Sequence, residues 1–168
     1  MVIRKVNGKS PKIPTDCFVA ENATIIGDVT FGENCSVWYN AVIRGDVNSI
    51  SIGNKVNIQD GAVVHCTYEK HSTVIGNNVS IGHNAIVHGC TIHDNVLIGM
   101  GSIVLDGAII GRNSLVGAGC VVPPGKIVPP NTLVIGNPMK IIRELSEVEI
   151  SNIQINKNHY LKLMNEYK

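Results

Sequence analysis

Aliphatic residues recur at every sixth position through most of this chain. From Ile92 the series runs Ile92, Ile98, Val104, Ile110, Val116, Val122, Val128 and Val134. Shorter runs in the same rhythm precede it: Val19, Ile25, Phe31, Val37 and Ile43; Ile52, Ile58 and Val64; Ile75, Ile81 and Val87. An α-helix repeats about every 3.6 residues and cannot hold a period of six on one face. A flat strand followed by a corner can. Each strand turns one aliphatic side chain inward. A small residue two places earlier (Ser102, Ala108, Ser114, Cys120, Thr132) lets the chain bend. Three such edges close a coil of about 18 residues, and coils stack about 4.8 Å apart through backbone hydrogen bonds. The expected fold is an all-β solenoid with its repeats between about residues 12 and 137.

Composition agrees. Hydrophobic residues make up 44% of the chain but aromatics only 4%, so the core must be built from Val, Ile, Leu and Ala. The 17 glycines suit many tight turns. With 14 basic against 13 acidic residues and no basic stripe, nucleic acid is not an expected partner. Five cysteines, widely spaced and without a CxxC pair, point to a reduced, cytoplasmic protein. The N-terminus lacks the apolar core of a signal peptide, and no apolar run is long enough to span a membrane. After the solenoid, "GNPMK" breaks the rhythm. Ser146 and Glu149 then form a capping box, with Ile150, Ile153, Lys157, Tyr160, Leu161 and Met164 at helical spacing. The spacing predicts a helix over about 146–166 packed on the solenoid. The chain thus divides into a solenoid, 1–145, and a C-terminal helical segment, 146–168.

The repeat also serves as a ruler. Val64 and Ile75 lie 11 positions apart where one edge needs six; the polar stretch 67–71, "TYEKH", fits an outward loop. Val87 then lies one full coil above Val64 on the same face. His65 and His88, which follow them, point outward from equivalent positions in adjacent coils, about one strand spacing apart. That arrangement suits two ligands of one metal. His83 lies on the preceding edge, and five extended residues around a corner span up to about 17 Å. A neighbouring subunit can supply it to the pair. His71, His93 and His159 read as ordinary surface histidines. Cys35 and Cys120 occupy the small inward position of the repeat, and Cys66 and Cys90 flank two of the histidines as small residues or as a redox-sensitive pair.

At "RGDVNSISIGNKVNIQDGAVVHC" and "IGHNAIVHGC" the sequence resembles the γ-class carbonic anhydrase-like proteins, over about residues 10–165. The resemblance implies a left-handed parallel β-helix of hexapeptide repeats and a homotrimer with metals at the subunit interfaces. The implied metal is zinc, with iron or cobalt as alternatives. It implies His65, His83 and His88 as ligands, with Gln59, Asn57 and Tyr160 in the reaction pocket. Arg44, Asp46 and Asp60 match interface positions, Asp60 as the carboxylate expected to pair with Arg44. The implied activity is that of a carbonate dehydratase, a lyase: hydroxide formed at neutral pH attacks CO2 to give bicarbonate, with Gln59 orienting it. The chain departs from the most active form of the family. Val47 follows the RGD, and the loop after His65 is short with one carboxylate, Glu69, so no acidic proton shuttle is evident. Two other readings stand beside this one: a hexapeptide acyltransferase using an acyl-CoA, and a metal-stabilised trimeric scaffold with little or no catalysis.

Overall fold

The computed structural model describes residues 1–168. The chain winds as a left-handed parallel β-helix of about seven turns closed by one C-terminal helix. Its short strands stack on three faces. One face carries Val63–His65, Ile86–His88, Ile103–Val104 and Val121–Val122; a second carries Thr73–Ile75, Thr91–Ile92, Ile109–Ile110 and Ile127–Val128. The third is an eight-stranded sheet running from Phe18–Val19 to Lys140–Glu144. Two longer strands, Thr24–Phe31 and Val42–Ile52, run around the corner between the first two faces and join them into one sheet.

The six-residue series is the core. Ile58, Ile81, Ile98, Val116 and Val134 are successive register partners, and each is fully buried. Burying one such side chain contributes roughly 1.5–3 kcal/mol, so a column of them holds the stack without aromatic residues. Cys35 and Cys120 are fully buried among them. Asparagine makes many of the corners. Asn34, Asn40, Asn78, Asn84, Asn95, Asn113 and Asn131 all have φ between 56° and 59°. Asparagine tolerates this left-handed region better than other non-glycine residues. Their side chains also ladder between coils, as in Asn113 Nδ2 donating to Asn131 Oδ1 at 3.0 Å.

Every departure from the count of six falls on one corner. Ile43 to Ile52 takes nine residues, Val64 to Ile75 eleven and Val87 to Ile92 five, while these remain stacked partners. The other two corners keep six throughout the stack. The additions are the RGD segment and the loop 67–71, which is closed by a Thr67–His71 bridge. The shortened corner begins at His88.

Both ends are covered by strands that the repeat did not announce. Val2–Arg4 pairs with Thr24–Ile26, and Lys140–Glu144 turns back antiparallel on Thr132–Ile135. Bare end coils would offer unpaired backbone to another chain. The helix runs Glu147–Glu166, with Ser146 as N-cap and both halves of the capping box formed. Ile153 and Met164 are its buried residues. It docks through an aromatic cluster: Trp38 packs on Phe18, Tyr160 and Tyr167 with ring centroids 5.0, 5.5 and 5.2 Å away. Phe18, Trp38, Tyr160 and Tyr167 thus serve the docking of the helix, while Phe31 lies buried in the solenoid core.

Candidate metal centre

His65 and His88 are register partners on adjacent strands. Parallel pairing puts their outward side chains side by side, with His65 Nδ1 3.1 Å from His88 Nε2. Their other ring nitrogens face carboxylates: His65 Nε2 lies 3.1 Å from Asp46 Oδ1, and His88 Nδ1 lies 2.6 Å from Asp106 Oδ1. The second oxygen of Asp106 accepts from the Thr67 hydroxyl at 2.6 Å. His83, at the opposite edge of the same face, repeats the arrangement. Its Nδ1 is 2.8 Å from Asp60 Oδ2, and its Nε2 is 3.4 Å from the Tyr160 hydroxyl. Each of the three histidines therefore has one ring nitrogen held by a carboxylate. That fixes the tautomer and leaves the other nitrogen unprotonated, its lone pair directed away from the carboxylate.

Within one chain no three metal-binding side chains converge. The structure brings His65 and His88 together and keeps His83 apart from them. Nor does Arg44 meet Asp60 within the chain. Arg44 instead pairs with Asp46, two residues on in the same strand, and Asp60 is taken by His83. Burial pushes the Asp46 carboxyl up, but the bonds from Arg44 and His65 outweigh it and hold it below the usual range. Burial pushes His65 down, as does the Arg44 charge, against the pull of Asp46, so its imidazole is neutral at neutral pH. Asp106 is likewise held low: burial opposes ionisation, and Thr67 and His88 overcome it.

The corner that positions His88 is tightly made. Gly89 takes φ +55°, and a Cβ there would stand 2.4 Å from Asp106 Oδ1. Its N–H donates to the Thr73 hydroxyl at 2.9 Å, which in turn donates to the His65 carbonyl. The glycine of the RGD is needed for another reason: a Cβ on Gly45 would meet the Asp28 carbonyl oxygen at 2.5 Å.

Gln59, His83, Asn156 and Tyr160 share a cavity of about 370 Å³ whose remaining wall includes Leu97, Ile98, Leu115 and Val116. Gln59 donates to Asn57 Oδ1 at 3.0 Å, and Asn57 donates to the Ser80 hydroxyl at 2.8 Å. Both residues are buried, and this chain fixes the Gln59 amide with Oε1 as the group left to a ligand. Burial, and then the Asp60 charge, push the Tyr160 hydroxyl up, so it keeps its proton. Asn156 Oδ1 is buried without a partner. Glu69 is exposed in its loop. Cys66 and Cys90 are free and buried, and burial pushes both thiols up, Cys90 to about 12. A larger cavity, about 470 Å³, opens on the second face beside His93 and Arg112, away from the three histidines.

Asp106 was not singled out from the sequence. It lies 18 residues after His88, one plain coil on, so the ruler that paired His65 with His88 also leads to it. The apolar ladder between the two edges likewise carries no motif of its own. Val42, Val63, Ile86, Ile103 and Val121 are register partners on the outer side of the histidine face. Ile86 remains 37% exposed.

The bacterial transferase hexapeptide (six repeats) pattern matches residues 72–102 and 89–124. The chain is 45% identical over 167 residues to a carbonic anhydrase of Geobacillus kaustophilus, covering 99% of this chain and 91% of that protein. It is 41% identical over 166 residues to gamma carbonic anhydrase 2, mitochondrial, of Arabidopsis thaliana, covering 96% of this chain and 60% of that longer protein. A solved structure of a hexapeptide transferase family protein from Anaplasma phagocytophilum superposes with a TM-score of 0.95 at 43% identity, covering 99% of this chain and 98% of that one. No helix of this chain is long and apolar enough to cross a membrane.

Proposed function

Because this chain belongs to the γ-class carbonic anhydrase-like family of hexapeptide-repeat proteins, we propose that it interconverts CO2 and bicarbonate at a metal shared between subunits of a homotrimer. The observation that carries this reading is the set of three carboxylate-held histidines, divided between the two edges of one apolar face. If that face packs against a neighbouring subunit around a three-fold axis, one chain's His83 edge meets the next chain's His65–His88 edge. Such head-to-tail contacts close into a ring. The apolar ladder from Val42 to Val121 supplies the buried surface.

The donor set fits a divalent metal, zinc first and iron or cobalt as alternatives: three imidazole nitrogens leave an open position. When bound, the metal supplies Lewis acidity that draws the pKa of water towards about 7. The chain does the rest. Asp46, Asp60 and Asp106 keep each imidazole proton on the outer nitrogen. Gln59, its amide tied to Asn57, offers an acceptor that orients a hydroxyl proton away from the attacking lone pair. Tyr160 presents a protonated hydroxyl beside His83, able to donate to an oxygen of the product. The Leu and Val wall excludes water from one side of an apolar substrate. With Glu69 exposed in its loop, the proton leaves through water, and turnover is expected to rise with buffer concentration.

The test is stopped-flow CO2 hydration on anaerobically purified protein, with metal quantified in the same sample and His88→Ala as control. Metal near one per chain, with hydration lost in His88→Ala, is the expected result. Metal without hydration above the control would refute the catalytic claim and favour the scaffold. Acyl transfer is supported by the hexapeptide transferase match, and tight coenzyme A binding in the same sample would favour it.

A further inference from the structure

Two cysteines stand one above the other at the N-terminal end of the solenoid. Cys17 and Cys35 each precede an inward aliphatic residue, Val19 and Val37, by two positions. Phe18 and Ser36 are register partners, and the Phe18 N–H donates to the Cys35 carbonyl at 2.9 Å. The side chains adopt equivalent positions. Cys17 Sγ donates to the Gly32 carbonyl at 3.4 Å and Cys35 Sγ to the Gly53 carbonyl at 3.1 Å. Gly32 and Gly53 follow the register partners Phe31 and Ile52. The two cysteines are therefore related by one strand spacing, about 4.8 Å. A disulfide spans Cα separations of about 4.4–6.8 Å.

Their surroundings differ. Cys35 is fully buried, whereas Cys17 in the end coil is partly exposed. Hydrogen bonding to Cys35 pulls the Cys17 thiol below its ordinary value against the effect of burial. The same contact and burial push Cys35 up. Cys17 is thus the reachable nucleophile and Cys35 the resolving thiol behind it.

We propose that Cys17 and Cys35 form a reversible disulfide that staples the first complete coil to the second. The oxidant is a low-molecular-weight disulfide. Cys17 thiolate attacks one of its sulfurs and displaces the other half as a thiolate. Cys35 gives its proton to that thiolate, attacks Cys17 Sγ and expels the second small thiol. Two cysteine S–H groups become one S–S bond, and one small disulfide becomes two thiols. Phe18–Val19 ends the eight-stranded sheet and pairs with Ser36–Val37 alone, so that edge of the coil is the first to open. The staple acts where Phe18 also supports Tyr167, with ring centroids 5.8 Å apart. It therefore secures both the first coil and the end of the C-terminal helix.

The experiment equilibrates the full chain, folded, with oxidised glutathione, traps free thiols by alkylation and maps the peptides by mass spectrometry. The expected product links Cys17 to Cys35 with loss of two hydrogens, while Cys66, Cys90 and Cys120 react only after denaturation. Amide exchange over 18–31 slows by at least about tenfold on oxidation. Cys35→Ser, or Cys35→Ala if the serine does not fold, stops at a glutathione adduct on Cys17. A stable Cys17 adduct in the unmodified sequence, a link formed only after denaturation, or an unreactive Cys17 would each overturn the proposal.

Discussion

Replacing Asp106 by asparagine tests the proposed metal centre at the point where sequence reading was blind. The carboxylate of Asp106 can only accept. It holds the imidazole proton on His88 Nδ1, 2.6 Å away, and leaves Nε2 bare beside His65. In Asp106→Asn the Thr67 hydroxyl, which donates at 2.6 Å, selects the amide oxygen as its acceptor. The NH2 then faces His88 and donates to Nδ1, which moves the imidazole proton to the ligand nitrogen. Loss of such a partner typically lowers metal affinity 10–100-fold, about 1.4–2.7 kcal/mol. Asp106 is 32% exposed, so water replaces part of the lost contact and the lower half of that range is expected. Asp106→Ala lets water accept the Nδ1 proton and preserves the tautomer, so the alanine variant should bind metal more tightly than the asparagine variant. A competition titration against a chromophoric zinc chelator measures both, with thermal unfolding of each metal-free protein as the control for folding. Unchanged affinity in Asp106→Asn, or a weaker alanine than asparagine variant, would refute the tautomer argument.

Other outcomes follow from the same geometry. Gly89→Ala forces a Cβ into the left-handed region and to within 2.4 Å of Asp106; a loss of about 1–3 kcal/mol in denaturant unfolding is expected, with weakened metal binding. Trp38→Ala removes the ring that carries Tyr160 and Tyr167, and hydrogen exchange should show the C-terminal helix opening while the solenoid strands stay protected. Glu149 is held at about 2, first by its two-bonded ion pair with Arg143 and then by Ser146. A carboxyl with a depressed folded pKa stabilises above its unfolded value, about 4.3, and loses that contribution as pH falls through the folded value. Trp38 fluorescence should therefore report helix release between about pH 4.3 and 2, and Arg143→Gln should move the release to higher pH.

The period of six determined most of the fold, because strands that bury one residue each leave the inward positions no freedom. It also placed His65 beside His88, since register in a parallel stack is set by counting. Ser146 and Glu149 likewise fixed the helix start, because a capping box is a local interaction. The strands Val2–Arg4 and Lys140–Glu144 were not legible, for they cover the ends of a stack that exists only after folding. Asp106 escaped because a carboxylate one coil beyond its histidine has no local signature. Asp60 is legible as a carboxylate of the site, but its contact with His83 within the chain is set only by the stacking of coils. The tertiary structure also decided that all the irregular corners fall on one edge. Two corners of the prism keep six residues throughout the stack. The third can absorb insertions outward into solvent, and there polar residues gather around His65 and His88.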